Sequence, residues 1–227
     1  MPYRSEKSQF LVVTVVMTIA VLIFSGVWSH ALSLDELLDR IEKQFLRTKD
    51  FQASFVQETF LKSQGKTERE KGRLYFMKPR KMLWLYDKPK EKTLVVNSEK
   101  SWLYVPEDQV AYVQDTDRLL RSTATVRLLS GLGGIKKDFQ VQFAASEQTD
   151  NREHYLLQLT PYDRNAGFTK AYIEINRTTY HINQVRFDDP YGNVTRVRLS
   201  NIQLNRQLKD QKFQFKPPPG VEIFQLP

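Results

Sequence analysis

The sequence predicts a mainly β protein (α+β class) built on a long antiparallel meander, and three observations carry that prediction. Strand-like runs follow one another at short intervals through most of the chain. The gaps between them hold turn residues such as Gln64-Gly65, Pro106-Glu107-Asp108 and Pro190-Tyr191-Gly192-Asn193. Only two segments show convincing helical spacing, too few for an α/β repeat.

The chain opens with Arg4 and Lys7, followed by an apolar stretch from Phe10 to Trp28. This has the form of an export segment, and Ser29-His30-Ala31 offers the small residues a signal peptidase reads. Cleavage after Ala31 is expected, leaving residues 32–227 as one soluble domain. The stretch is long for a signal-peptide core, and the alternative is an uncleaved membrane anchor. No later run approaches the roughly 18 apolar residues of a membrane helix.

The chain has no cysteine, which excludes disulfides, thiolate metal sites and lipidation of the protein's own cysteine. Its net charge is +8, and removing the leader changes it little. That excess fits an acidic partner or membrane surface, and equally a well-solvated surface that resists aggregation.

From Leu32 to Leu46 the residues Leu34, Leu37, Leu38, Ile41, Phe45 and Leu46 recur at three- and four-residue intervals, which predicts an amphipathic helix ending near Lys49-Asp50. The period then changes to two, and strands are expected at about 51–62, 67–78, 81–87, 92–97, 101–105, 109–114, 139–145, 154–161, 168–175, 180–188 and 193–205. Between Asp115 and Lys137 a second helix is expected from Leu119, Leu120, Ala124, Leu128 and Leu129. The glycines at 131, 133 and 134 give it a flexible exit.

The two halves of the strand region differ. From residue 74 to 113 both faces are apolar: Met82, Trp84 and Tyr86 alternate with Leu83 and Leu85, and Trp102 and Tyr104 alternate with Leu103 and Val105. Such a sheet must cover both faces, yet the chain offers two helices as cover. Later runs have one apolar face, and Lys170, Glu174, Gln184 and Arg186 are expected on a solvated one. A curved sheet lined by aromatics and capped by helices would enclose an apolar cavity, and a densely packed core without ligand space satisfies the same pattern.

Gly72-Arg73-Leu74-Tyr75-Phe76-Met77-Lys78-Pro79, followed by Met82-Leu83-Trp84, resembles the central motif of the LolA periplasmic lipoprotein carriers. Phe51 to Gln57 resembles that family's first strand, and Leu128-Leu129-Ser130-Gly131 with Asp138-Phe139 its lid region. Leu159-Thr160-Pro161, Asp189 to Asn193 and Phe213 to Val221 resemble later landmarks, so the likeness runs from residue 34 to 224 in the family's order. It implies an unclosed antiparallel β-barrel of about eleven strands with a helical lid over an apolar cavity.

The resemblance further implies a monomeric periplasmic chaperone that binds the acyl chains of triacylated lipoproteins. An inner-membrane ATP-driven release complex would be its donor and an outer-membrane lipoprotein receptor its acceptor. Phe55, Phe76, Met82, Trp84, Leu94, Trp102, Tyr104, Leu120, Leu128 and Leu129 are expected to line cavity and lid. Carriers of this type often have Arg before the proline, contacting the lid; here Lys78 occupies that lid-latch position, without the planar fork of a guanidinium. An ordinary solvated lysine is the alternative. A LolA-like protein for another amphiphile, such as a glycolipid, or an envelope lipoprotein sensor, are the competing functions.

Catalysis finds no support in the pattern. His154 and His181 are the histidines left beyond the leader and no metal set is apparent. There is no G-x-S-x-G elbow, and Gly131-Leu132-Gly133-Gly134 lacks the Lys-Ser/Thr of a phosphate loop. No cofactor is expected. Lys78, Arg80, Lys81, Lys88, Lys90 and Lys92 interleave with aromatics as in single-strand binders, but an exported protein meets no nucleic acid, so docking to an acidic partner or a solvated rim is expected instead. Complete burial of three chains of about 16 carbons at about 0.8 kcal/mol per methylene would exceed 30 kcal/mol, above the roughly 20 kcal/mol ceiling of reversible affinity. Partial burial is therefore expected.

Overall fold

The computed structural model describes residues 32–122, 128, 135–144, 153–163 and 166–226, and those from Leu34 onward belong to one compact unit. Residues 1–31, the glycines at 131, 133 and 134, and Leu129 lie outside the described residues, so the expected export segment and its cleavage site do too.

Helix α1 spans Leu34–Arg47 and buries Leu37, Leu38 and Ile41 on one face. Asp35 and Glu36 lie in its first turn and Arg47 in its last, the arrangement that favours the helix dipole. Thr48 ends it, its hydroxyl donating to the Gln44 carbonyl at 2.9 Å. The strands follow in order: β1 (Asp50–Leu61), β2 (Lys66–Met77), β3 (Lys81–Tyr86), β4 (Lys92–Val96), β5 (Lys100–Val105) and β6 (Val110–Asp115). Two short helices come next, α2 (Thr116–Ser122) and α3 (Ile135–Asp138). Then come β7 (Phe139–Phe143), β8 (His154–Pro161), β9 (Lys170–Asn176), β10 (Ile182–Asp188), β11 (Val194–Leu204) and β12 (Glu222–Gln225).

All belong to one sheet in the order β12-β6-β5-β4-β3-β2-β1-β11-β10-β9-β8-β7. Every pairing is antiparallel except β12 with β6, which is parallel. The sheet is open, since β12 and β7 are its two edges. Each of the eleven strand-like runs forms a strand; the twelfth is a four-residue edge strand beyond the Pro217–Gly220 turn, too short to show a period. Among the described residues no helix is long and apolar enough to cross a membrane.

The turns follow their chemistry. Gly65 (φ 59°) and Gly192 (φ 84°) supply the left-handed backbone at the β1–β2 and β10–β11 connections. In the latter, one Asp189 carboxylate oxygen accepts from the amides of Tyr191 and Asn193, each at 2.8 Å.

The two apolar faces of the first half have different covers. On the inner face, which carries α1, the Phe45 ring lies 6.2 Å from that of Phe76. On the outer face Tyr75, Leu83 and Val95 cluster with Phe213, and Trp102, Leu208 and Phe215 pack against them. The C-terminal tail, with a 3-10 turn at Asp210–Phe213 and no α-helix, therefore seals the outer face. Asp50 sets the tail's course: its carboxylate accepts from the amides of Arg206 (2.7 Å) and Gln207 (3.1 Å), where Asn205 and Gln207 take φ of 52° and 57°. In the second half, Glu174 and Gln184 are not solvated as their charge and polarity suggest. They are buried, with the Gln184 amide donating to Glu174 at 2.6 Å and accepting from Arg198 at 3.0 Å.

Candidate functional site

Strand register builds the inner face in three rows. Phe51, Phe76, Met82 and Val96 are successive cross-strand partners, as are Ala53, Leu74, Trp84, Leu94, Leu103, Tyr112 and Phe224. The third row runs Phe55, Gly72, Tyr86, Lys92. Gly72 is obligatory there: a Cβ would lie 1.9 Å from the Leu85 carbonyl oxygen and 3.0 Å from the Phe55 ring. The space it leaves is taken by Phe55 and Tyr86, edge to face at 4.9 Å, and Phe55 meets Trp84 in the same way at 4.9 Å.

Among the described residues two cavities adjoin this framework and another lies apart from it, beside β7 and β8. One of about 60 Å³ lies under α1, lined by residues including Ile41, Phe45, Phe51, Phe76, His181 and Leu199. A second of about 230 Å³ is bounded by Tyr86, Lys92, Leu94, Leu103, Tyr112, Leu119 and Leu226, among others. The third, about 280 Å³, is more polar and lies between Leu128, Phe139, Pro161 and Tyr162.

Of the residues expected to line the cavity, Phe55, Phe76, Met82, Trp84 and Leu94 share the inner face. Leu128 is buried at the third cavity, and Leu120 is half-buried on α2. Trp102 and Tyr104 correct the expectation. They point to the outer face, where both rings contact Phe215, at 5.5 and 5.6 Å. With both phases of β5 apolar, ring size was a poor guide. The β4–β5 turn held the better signal, because pairing Val96 with Ser101 across it puts Leu103, not Trp102, opposite Leu94. Tyr86, Lys92, Leu103, Tyr112, Leu119 and Leu226 line the second cavity and were not among the residues expected there.

Lys78 was expected to latch the lid, most of whose residues lie outside the described ones; among the described residues it meets α1. Its ammonium donates to the carbonyls of Phe45 (2.5 Å) and Leu46 (3.1 Å) and sits 4.4 Å from the centre of the Phe45 ring, so it caps the last turn of α1. Burial there lowers its pKa from the ordinary lysine value. A contact to the described part of the segment after β6 comes from Arg80, which donates to Asp117 of α2 at 2.6 Å. Three more members of the basic run are paired, Lys81 with Asp210, Lys90 with Glu68 (2.9 Å) and Lys92 with Glu70 (2.6 Å). A run read as a docking patch is thus largely neutralised within the fold.

The histidines occupy different settings. His181 Nε2 lies 2.8 Å from the Gln44 amide nitrogen of α1, and burial lowers its pKa below the usual imidazole value. His154 is buried, with Asn183 at 2.8 Å and Glu174 at 3.7 Å. Among the described residues no group of three or more His, Cys, Asp or Glu side chains could hold a metal.

The model of the family described as outer membrane lipoprotein carrier protein LolA matches residues 47–216. The chain belongs to the LolA family. An outer-membrane lipoprotein carrier protein of Halorhodospira halophila is 28% identical over 189 residues, 83% of this chain and 85% of that one. A protein of the same description from Dechloromonas aromatica is 26% identical over 195 residues, 86% and 88% of the two chains. Among solved structures, an uncharacterised conserved protein from Thermus thermophilus superposes with a TM-score of 0.54 at 15% identity, covering 85% of this chain and 98% of its own, a likeness of fold.

Proposed function

We propose that the chain is a non-enzymatic periplasmic carrier that takes the acyl chains of lipoproteins released from the inner membrane and delivers them to the outer membrane. The observation that carries this reading is the asymmetry of the first half-sheet. Its outer apolar face is sealed by the tail, while its inner face leaves apolar side chains around open volume at Leu94, Leu103 and Tyr112. Family membership and the names of the relatives support lipoproteins as the cargo. The leader delivers the chain by export, with cleavage after Ala31 starting the mature protein two residues before the first described helix. An ATP-driven inner-membrane release complex loads the carrier, and an outer-membrane receptor unloads it.

The test is purification from the periplasm followed by mass spectrometry of bound material and of the mature N-terminus. Co-purified triacylated lipoproteins and a chain beginning at Leu32 are the expected result. A bound glycolipid with no lipoprotein overturns the cargo assignment.

A further inference from the structure

At one end of the inner face the apolar rows give way to a compact polar group. Gln57 and Glu70 are partners across β1 and β2, with the Gln57 amide 3.4 Å from the carboxylate. The Tyr86 hydroxyl donates to Gln57 at a long 3.3 Å, and the Lys92 ammonium donates to Glu70 at 2.6 Å while lying 4.3 Å from the centre of the Tyr86 ring. The Glu70 side chain is 12% exposed and that of Lys92 29%.

Placing an ion pair and a phenol among aromatics costs free energy that packing does not return. Both hydrogen bonds of Gln57, to Glu70 and from Tyr86, are at the long end of the useful range. Beside them Trp84, 2% exposed, has an indole nitrogen with no hydrogen-bond partner among the described residues, an uncommon state for a buried donor. Tyr86 and Lys92 also form one wall of the 230 Å³ cavity whose remainder is mostly apolar. The cluster is therefore the polar end of an apolar slot and is rich in donors that are weakly engaged. An ammonium has three donors, and Glu70 takes one.

The net charge of the Lys92–Glu70 pair is zero. A phosphate would meet the Glu70 carboxylate as well as the ammonium, so the group does not select an anionic headgroup. Neutral acceptors match it better. Resting on the carrier function proposed above, we propose that Tyr86 and Lys92 bind the ester carbonyls at the junction between acyl chains and glyceryl group, orienting the cargo with its chains toward Leu94, Leu103 and Leu226.

The experiment measures binding of a soluble peptide bearing triacylated S-glyceryl-cysteine, and of the same peptide with its two glyceryl ester links replaced by ethers of equal chain length. The wild-type protein should prefer the ester form by about tenfold, the size of one hydrogen bond from a charged donor. Lys92→Met and the more conservative Tyr86→Phe should each shrink that preference severalfold, the ester form losing more affinity than the ether form. Equal wild-type affinity for the two peptides, or an undiminished preference in both variants, overturns the assignment. Equal loss of both peptides in folded Tyr86→Phe also overturns it, since the ring edge would then act on cavity shape. Failure of the wild-type protein to bind either peptide refutes the carrier function instead.

Discussion

Replacing Lys78 by Met tests whether this lysine anchors α1. The thioether keeps most of the aliphatic stem over Phe45 and removes the ammonium, so the loss isolates the cap. Two carbonyls of the last helical turn lose their donor, at 2.5 and 3.1 Å, and the Phe45 ring loses a cation at 4.4 Å. A cation at a helix C-terminus in a partly buried setting contributes up to about 2 kcal/mol, and the ring contact about 0.5–1 kcal/mol. The desolvation that lowers the Lys78 pKa offsets part of this, leaving an expected destabilisation of about 2 kcal/mol. For a domain of this size that is a fall in melting temperature of roughly 4–8 °C. Calorimetry reads the shift, and limited trypsin digestion reads its location through cleavage at Arg40, Lys43 and Arg47 of α1. Lys78→Arg should recover most of the loss, because a guanidinium can reach both carbonyls. A Met variant within about 0.5 kcal/mol of wild type, with α1 as protected as before, would refute the anchoring role.

The other expectations separate the two faces and the two ends of the sheet. Trp84→Glu or Leu94→Glu should reduce capture of a triacylated peptide at least tenfold, whereas Trp102→Ala should leave capture intact and lower unfolding free energy by about 2 kcal/mol, since its contacts are with Phe215; the reverse pattern would overturn the face assignment. Asp50→Ala strands the amides of Arg206 and Gln207 and should cost about 2–3 kcal/mol in guanidinium unfolding, with earlier proteolysis of the tail. Burial holds the folded-state pKa of His181 below 6.5, so between that depressed value and 6.5 the unfolded chain binds the extra proton. Its contribution is then complete above pH 6.5 and is lost as pH falls through that window. Gln44 and Tyr180, the latter with Arg40 over its ring, are the polar and charged neighbours; His181→Gln should flatten this part of the stability profile in urea.

Much of the fold was legible because each strand carries its own period and each hairpin its own turn chemistry. Gly65, Asp189 and Gly192 marked their connections without reference to the rest of the molecule. The cover of the outer face was not legible. It depends on Asp50, near the start of the sheet, directing Arg206 and Gln207 more than 150 residues later, and no local pattern records that contact. The same limit explains Trp102 and Tyr104: alternation identified two faces on β5, and which face was inner depended on what the tail did. Lys78 was legible as a special position through its proline context, but a lysine reaches any carbonyl within its stem length. Its helical partner had to come from the packing of Phe45 on Phe76.

These packing facts bear on how a carrier releases what it holds. The cavities of about 60, 230 and 280 Å³ each fall below the roughly 300–1,000 Å³ of an ordinary ligand pocket. Phe55, Phe76, Met82 and Trp84, all at most 2% exposed, are buried among other protein groups. Acyl chains can enter only by displacing some of that packing, so part of the gain from burying methylenes offsets contacts already made. The covers are held by modest bonds: Lys78 to α1, exposed Arg80 to Asp117, and Lys136 to Asp35 and Asp39. Exposed ion pairs of this kind contribute about 0–1 kcal/mol each. Chain burial that must displace existing packing and fill only modest open volume gives intermediate affinity, which transfer from a donor to an acceptor requires. Strengthening the cover, for example by a disulfide between α1 and β2, should therefore impair loading and release together while raising thermal stability.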